Sequence, residues 1–114
     1  MEFYRGEIYL VNFNPAKGGE IGKFRPAIIL SDFDDNKFLD TCIVIPLSTV
    51  IKDNSLPYRF LITARDKLKK NSDACINEIR ALSKNRIKEK LSCLRDNELK
   101  IIQKSLCKII GDNI

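Results

Sequence analysis

The hydrophobic period of this chain changes once along its length, and that change most constrains its fold. As far as Leu82 the apolar residues fall in short runs broken by proline and glycine; from Ser83 onward they recur at helical spacing. Residues 7–13, Glu-Ile-Tyr-Leu-Val-Asn-Phe, are rich in β-branched and aromatic side chains and predict a strand. Pro26 pushes Arg25 toward extended geometry, so Ala27-Ile28-Ile29-Leu30 predicts a second strand entered at Arg25. Cys42-Ile43-Val44-Ile45 predicts a third, and Pro46 marks the end of its regular pairing, leaving Leu47, Ser48 and Thr49 at a strand end or bend. Tyr58–Ile62 and Ala74–Arg80 are the remaining strands, and five short neighbours of this kind suit a small antiparallel barrel or a strongly curled sheet. Beyond them, Ser83 is expected to cap a short helix over Lys84–Leu91, with Ile87 and Leu91 on one face. Asp96 is expected to cap a second helix, whose stripe Leu99, Ile102, Leu106, Ile109 packs on the sheet and which Gly111 closes. The fold class is mainly β with C-terminal helices (α+β).

At 114 residues, 44% of them hydrophobic and 31% charged, the chain has the composition of one folded domain spanning 1–114. A net charge of +5 suits a polyanionic partner. The sequence contains no histidine, which excludes a Ser-His-Asp triad, a Cys-His pair, a two-histidine zinc helix and a paired-histidine nuclease site within the chain. Enzymatic chemistry here would rest on carboxylates, hydroxyls and arginine. Cys42, Cys75, Cys93 and Cys107 form no C-x-x-C pair and sit among Ile, Val and Leu, so buried reduced thiols are expected. No secretory signal and no run of about 18 apolar residues is present, which suits a cytoplasmic protein away from membranes.

The polar segments sort by what they lack. Asp32-Phe-Asp34-Asp-Asn36 has the acid spacing of a calcium loop, but Lys37 stands where the turn glycine belongs and Ile43 where the bidentate glutamate belongs, so a polar connector is expected and no metal site. The loop over 14–24 holds three of the five glycines, at Gly18, Gly19 and Gly22, yet has neither a P-loop nor a dinucleotide fingerprint. It reads as a flap whose backbone could approach a phosphodiester, with Lys17, Lys23 and Arg25 supplying positive charge. Lys84, Arg86, Lys88 and Lys90 read as a solvated helix face.

Were the substrate RNA, scission through the 2′-hydroxyl would need a base, neutralisation of a pentacoordinate phosphorane and a proton for the leaving oxygen. Guanidinium suits the second task because it presents a fixed, permanently charged fork. Arg25 at its strand mouth fits that role, Ser48 or Thr49 could supply a hydroxyl donor, and Glu20 in the flap could take or relay a proton.

Arg5-Gly-Glu-Ile-Tyr, Gly-Gly-Glu20-Ile-Gly-Lys-Phe-Arg25-Pro26, Pro46-Leu-Ser48-Thr49 and Glu78-Ile-Arg80-Ala-Leu-Ser-Lys-Asn-Arg86-Ile, in that order, resemble the MazF/PemK (Kid) toxins of bacterial toxin–antitoxin pairs. The resemblance implies a small SH3-like antiparallel barrel with a C-terminal helix, a homodimer, and metal-independent, cofactor-free cleavage of single-stranded RNA to 2′,3′-cyclic phosphate and 5′-hydroxyl ends. It also implies a cognate MazE-like antitoxin. By the resemblance Arg25 and Ser48, with Thr49 as neighbour, are the catalytic positions. Ser48 stands where the family usually has Thr, and so lacks the methyl that restrains χ1. Glu20, Lys17, Lys23, Asn77, Glu78 and Arg80 fall on the substrate side. Two other readings stay open: a CcdB-like toxin that binds DNA gyrase without chemistry, and a non-catalytic RNA-binding module.

Overall fold

The computed structural model describes residues 1–14 and 23–111. Its elements run β1 (Glu7–Asn12), β2 (Phe24–Ile29), α1 (Phe33–Phe38), β3 (Thr41–Ser48), β4 (Arg59–Ile62), β5 (Ser72–Cys75), β6 (Arg80–Ser83), β7 (Ile87–Cys93) and α2 (Asp96–Ile110). The strands form one antiparallel sheet in the order β4-β5-β3-β2-β1-β7, with β6 also paired to β3. Its ladder stays open between β4 and β7 among the described residues, so the barrel becomes a curled sheet. The ends still approach, because the turn after β4 donates Lys67 N–H to the Leu91 carbonyl of β7 at 3.0 Å.

The apolar runs are continuous, not alternating, because the sheet is covered on both faces. Ile8, Ile28, Leu30, Ile45, Leu47, Ile62 and Ile76 turn to one core, which α2 covers with Leu99, Ile102, Leu106 and Ile109. Tyr9, Val11, Phe13, Ala27, Ile29, Cys42, Val44 and Leu82 turn to the other. Successive residues of β2 therefore alternate between two cores, and both are apolar. The stripe on α2 packs as its spacing requires, and Gly111 ends the helix at φ +87°.

The segment expected as a helix over Lys84–Leu91 is instead a 3-10 turn at Lys84–Arg86 followed by β7. Ser83 caps nothing there; it pairs with Thr41 across β6 and β3. β7 carries two register shifts against β1, where Ser92, Lys90 and Ile87 oppose Ile8, Tyr9 and Val11. Such bulges insert unpaired residues and break the two-residue alternation that marks a strand in sequence. Ile87 and Leu91 consequently contact opposite cores, not one helical face.

Four smaller expectations are corrected or refined. Ala74–Arg80 is not one strand but β5, a 3-10 turn at Ile76–Glu78 and β6. Pro46 ends pairing with β2, yet β3 continues for two residues, with Leu47 and Ser48 opposite Ala74 and Asp73 of β5. Asp32-Phe-Asp34-Asp-Asn36 does connect two strands, β2 and β3, and does so through α1: Asp32 caps that helix by accepting from Asp34 N–H, and buried Asn36 donates to the carbonyls of Phe3 and Ser31. Asp96 is the first residue of α2, and the cap is Arg95, whose backbone N–H donates to Glu98.

The basic cluster is not merely solvated. Lys84 Nζ donates to the Asn36 carbonyl at 2.7 Å, and Lys90 Nζ pairs with Glu7 at 2.7 Å. Arg86 donates to the carbonyls of Asn12 and Asn14, fixing the chain as it leaves β1. Of the four thiols, Cys42 and Cys75 are buried, while Cys93 and Cys107 are exposed. Cys93 ends β7 at the sheet edge, and Cys107 lies beside the packed stripe of α2 instead of on it. Among the described residues no helix is long and apolar enough to cross a membrane.

Candidate active site

A cavity of about 320 Å³ opens where β3 changes partners. Its walls are Phe13 from the end of β1, Arg25 from β2, Pro46, Leu47 and Ser48 from β3, Arg59 from β4, Cys75 from β5, and Glu78 and Arg80 from the segment entering β6. β3 makes this convergence by pairing with β6 over Thr41–Val44 and with β5 over Leu47–Ser48. The 3-10 turn at Ile76–Glu78 spans the gap between those two ladders and brings Glu78 to the rim.

Arg25 is held by the β1–β2 ladder opposite Val11, with Pro26 opposite Leu10. Its guanidinium faces the cavity half-buried, and its Nε is fully buried without a hydrogen-bond partner among the described residues. An unpaired buried donor costs about 1–3 kcal/mol. An acceptor entering the cavity would remove that cost. Ser48 is 6% exposed, and its Oγ accepts Val50 N–H at 3.2 Å. A serine oxygen that accepts in this way still has its O–H to donate. Thr49 is exposed and lies outside the lining, so of the two adjacent hydroxyls it is Ser48 that joins Arg25 at the cavity.

Glu78 and Arg80 both line the cavity, and the Arg80 guanidinium lies 5.7 Å from the centre of the Phe13 ring. Asn77 is exposed on the same turn but is not part of the lining. Lys23 is also exposed and outside it; its backbone, at φ +78°, bonds to both Phe13 and Asn14 and aligns the start of β2. Lys17 and Glu20, with the flap they belong to, lie outside the described residues.

Among the polar members of the wall, sequence reasoning missed Arg59 and Cys75, which face each other across the β4–β5 ladder. The available signal was a single charge, Arg59, inside the apolar run Tyr58–Ile62. Burial pushes the Cys75 thiol up to about 11, with the nearby Arg59 charge pulling the other way, so it lines the cavity as a neutral thiol at physiological pH. The lining as a whole carries three guanidinium groups and one carboxylate, an arrangement suited to holding an anion. Among the described residues no three His, Cys, Asp or Glu side chains gather as a metal would require.

This fold, an open, two-cored antiparallel sheet capped by one C-terminal helix, matches solved structures of MazF toxins. The crystal structure of MazF from Deinococcus radiodurans superposes with a TM-score of 0.80 at 22% identity, covering 98% of this chain and 99% of that one. The Mycobacterium tuberculosis toxin MazF-mt6 gives 0.78 at 14% identity, covering 95% and 99%. A MazE–MazF structure from D. radiodurans gives 0.77 at 18% identity, covering 97% of each chain. In sequence, the Endoribonuclease MazF of Staphylococcus saprophyticus is 35% identical over 108 residues, 94% of this chain and 90% of that protein. Residues 4–110 match the family described as PemK-like, MazF-like toxin of type II toxin-antitoxin system, and the chain belongs to that family.

Proposed function

We propose that this endoribonuclease toxin cleaves single-stranded RNA in the Arg25–Ser48 cavity, without a metal or cofactor, leaving 2′,3′-cyclic phosphate and 5′-hydroxyl ends. The observation that carries the reading is that Arg25 and Ser48, from adjacent strands, line one cavity in which a buried Arg25 donor awaits an acceptor among the described residues. In this mechanism the 2′-oxygen attacks the neighbouring phosphorus, and the bond to the 5′-oxygen breaks. Arg25 donates to the non-bridging oxygens, whose negative charge grows in the phosphorane, and so stabilises the transition state electrostatically. The Ser48 hydroxyl hydrogen-bonds the same phosphoryl group or the leaving 5′-oxygen, which takes up a proton from solvent to become the 5′-hydroxyl. Glu78, the carboxylate of the cavity wall, is suited to take the proton of the 2′-hydroxyl.

Arg80, Asn77 and Lys23, together with Lys17 and Glu20, serve as substrate contacts, and Thr49 as the neighbouring hydroxyl. A homodimer is the working form, a MazE-like antitoxin is the physiological inhibitor, and the cytoplasm is the site of action. A gyrase-binding role of the CcdB kind is less well supported, because the apolar stripe of α2 is already packed on the core.

The test is to incubate the protein with a long single-stranded RNA in EDTA, mapping the ends by sequencing, beside Arg25→Ala, Ser48→Ala and Thr49→Ala. Discrete cuts with cyclic-phosphate ends are expected. Arg25→Ala should lose about 100-fold or more, Ser48→Ala should lose most activity, and Thr49→Ala should retain it. Intact RNA with the wild-type protein would refute the reading.

A further inference from the structure

Arg59 takes no part in the scheme above, yet it is the residue shared by the main cavity and a second one of about 200 Å³ lined by residues 51–56, Phe60, Leu61 and Asp73. Its side chain is only 15% exposed. It leans on buried Asp73, with Nη1 3.6 Å from Oδ2, and donates from the same Nη1 to the Val50 carbonyl at 3.2 Å. Asp73 in turn accepts Lys52 N–H at 2.7 Å and stands opposite Ser48 in the β3–β5 ladder. The hydrogen bond of Arg59 thus uses one nitrogen, and Nε and Nη2 make no hydrogen bond to the described residues.

A guanidinium anchored at one corner, with its other edge free between two cavities, is preorganised to receive a second anion beside the one that Arg25 meets. We propose that Arg59 is a second phosphate-binding residue, which holds a backbone phosphate flanking the scissile one as RNA passes from the main cavity toward the 51–61 segment. Asp73 is its positioning residue. The inference rests on the RNA reading above, and it predicts a contact that adds to affinity and register while Arg25 serves the reacting phosphate.

The test uses a fluorescently labelled single-stranded RNA spanning a mapped cut, with 2′-deoxy at the attacking nucleotide so that it binds without being cleaved. Affinity is measured by anisotropy across a KCl series for the wild type, Arg59→Ala, Arg59→Gln and Arg59→Lys. One lost phosphate contact on a single strand lowers the magnitude of the log–log salt slope by about 0.7. Arg59→Ala and Arg59→Gln should both show that decrease together with about 5- to 10-fold weaker binding at low salt. Arg59→Lys should keep the slope. In cleavage assays the loss should fall on KM more than on kcat. Arg59→Gln, which retains a donor toward Val50, keeps the test valid if Arg59→Ala fails to fold by circular dichroism. An unchanged slope in a folded Arg59→Gln would overturn the inference while leaving the RNA reading intact; failure of the wild type to bind the RNA would overturn both.

Discussion

Removal of Glu98 gives the sharpest test of how α2 is fastened to the sheet. Glu98 and Arg65 form a two-pronged ion pair at 2.5 and 2.8 Å, with side chains only 8% and 11% exposed, and Glu98 Oε1 also accepts Arg95 N–H at 2.8 Å. One carboxylate therefore completes the start of α2 and ties that helix to the turn after β4. Taking away one partner of such a pair leaves the other charge buried and unpaired, a loss of about 3–5 kcal/mol for Glu98→Ala. Glu98→Gln keeps the acceptor for Arg95 and one bond to Arg65, so it should cost about 2 kcal/mol. For 114 residues the unfolding entropy is about 0.24 kcal/mol/K. Glu98→Ala should then lower Tm by roughly 12–20 °C in calorimetry at one fixed protein concentration.

The pH dependence has a definite sign. Hydrogen bonding from Arg65, outweighing the effect of burial, holds Glu98 below the usual carboxylate range, so the unfolded chain binds its proton more readily. The stabilisation is fully present above the unfolded value of about 4.3 and is lost as pH falls through the lower folded value. The Tm gap between wild type and Glu98→Gln should accordingly narrow on acidification. A Tm loss under about 4 °C for Glu98→Ala, or a gap that widens in acid, would refute the reasoning.

Two further outcomes follow from the same geometry. Under native conditions iodoacetamide should label Cys93 and Cys107 first, with Cys42 and Cys75 reacting only as the chain unfolds, because the latter two thiols are buried and burial raises both above the ordinary thiol range; peptide mass spectrometry reads the order. Arg86→Ala should cost about 1–2 kcal/mol in urea unfolding, since it frees two carbonyls at the exit of β1, and should reduce RNA cleavage by loosening Phe13 at the cavity wall.

Much of this structure was legible in the sequence wherever one physical signal dominated. Arg25-Pro26 announced an extended residue at a strand mouth, and the Leu99–Ile109 stripe announced α2 and the face it buries. β7 was hidden because its bulges erase alternation, and because a separation of four between Ile87 and Leu91 suits a helix as well as it suits a strand. α1 was hidden by its brevity: six residues carry too little period to register, and Asn36 is buried by bonds to Phe3 and Ser31 that no local pattern displays. At the cavity, Arg25, Ser48, Glu78 and Arg80 were found through motif and chemistry together. Arg59 and Cys75 were not, since only the β4–β5 register carries them to the wall.

The partner exchange of β3 has a consequence for how such a protein can diversify. Ser48 and Cys75 end their strands, Arg80 begins one, and Glu78 sits on a turn between two ladders, so none of the four lies at the middle of a strand. The large apolar side chains that hold the sheet together, Ile28, Ile45, Val44 and Ile76 among them, are different residues. Rim and core can vary on separate schedules. A lineage built on this sheet can exchange the groups that meet a ligand one at a time, trying new preferences while its framework stays put.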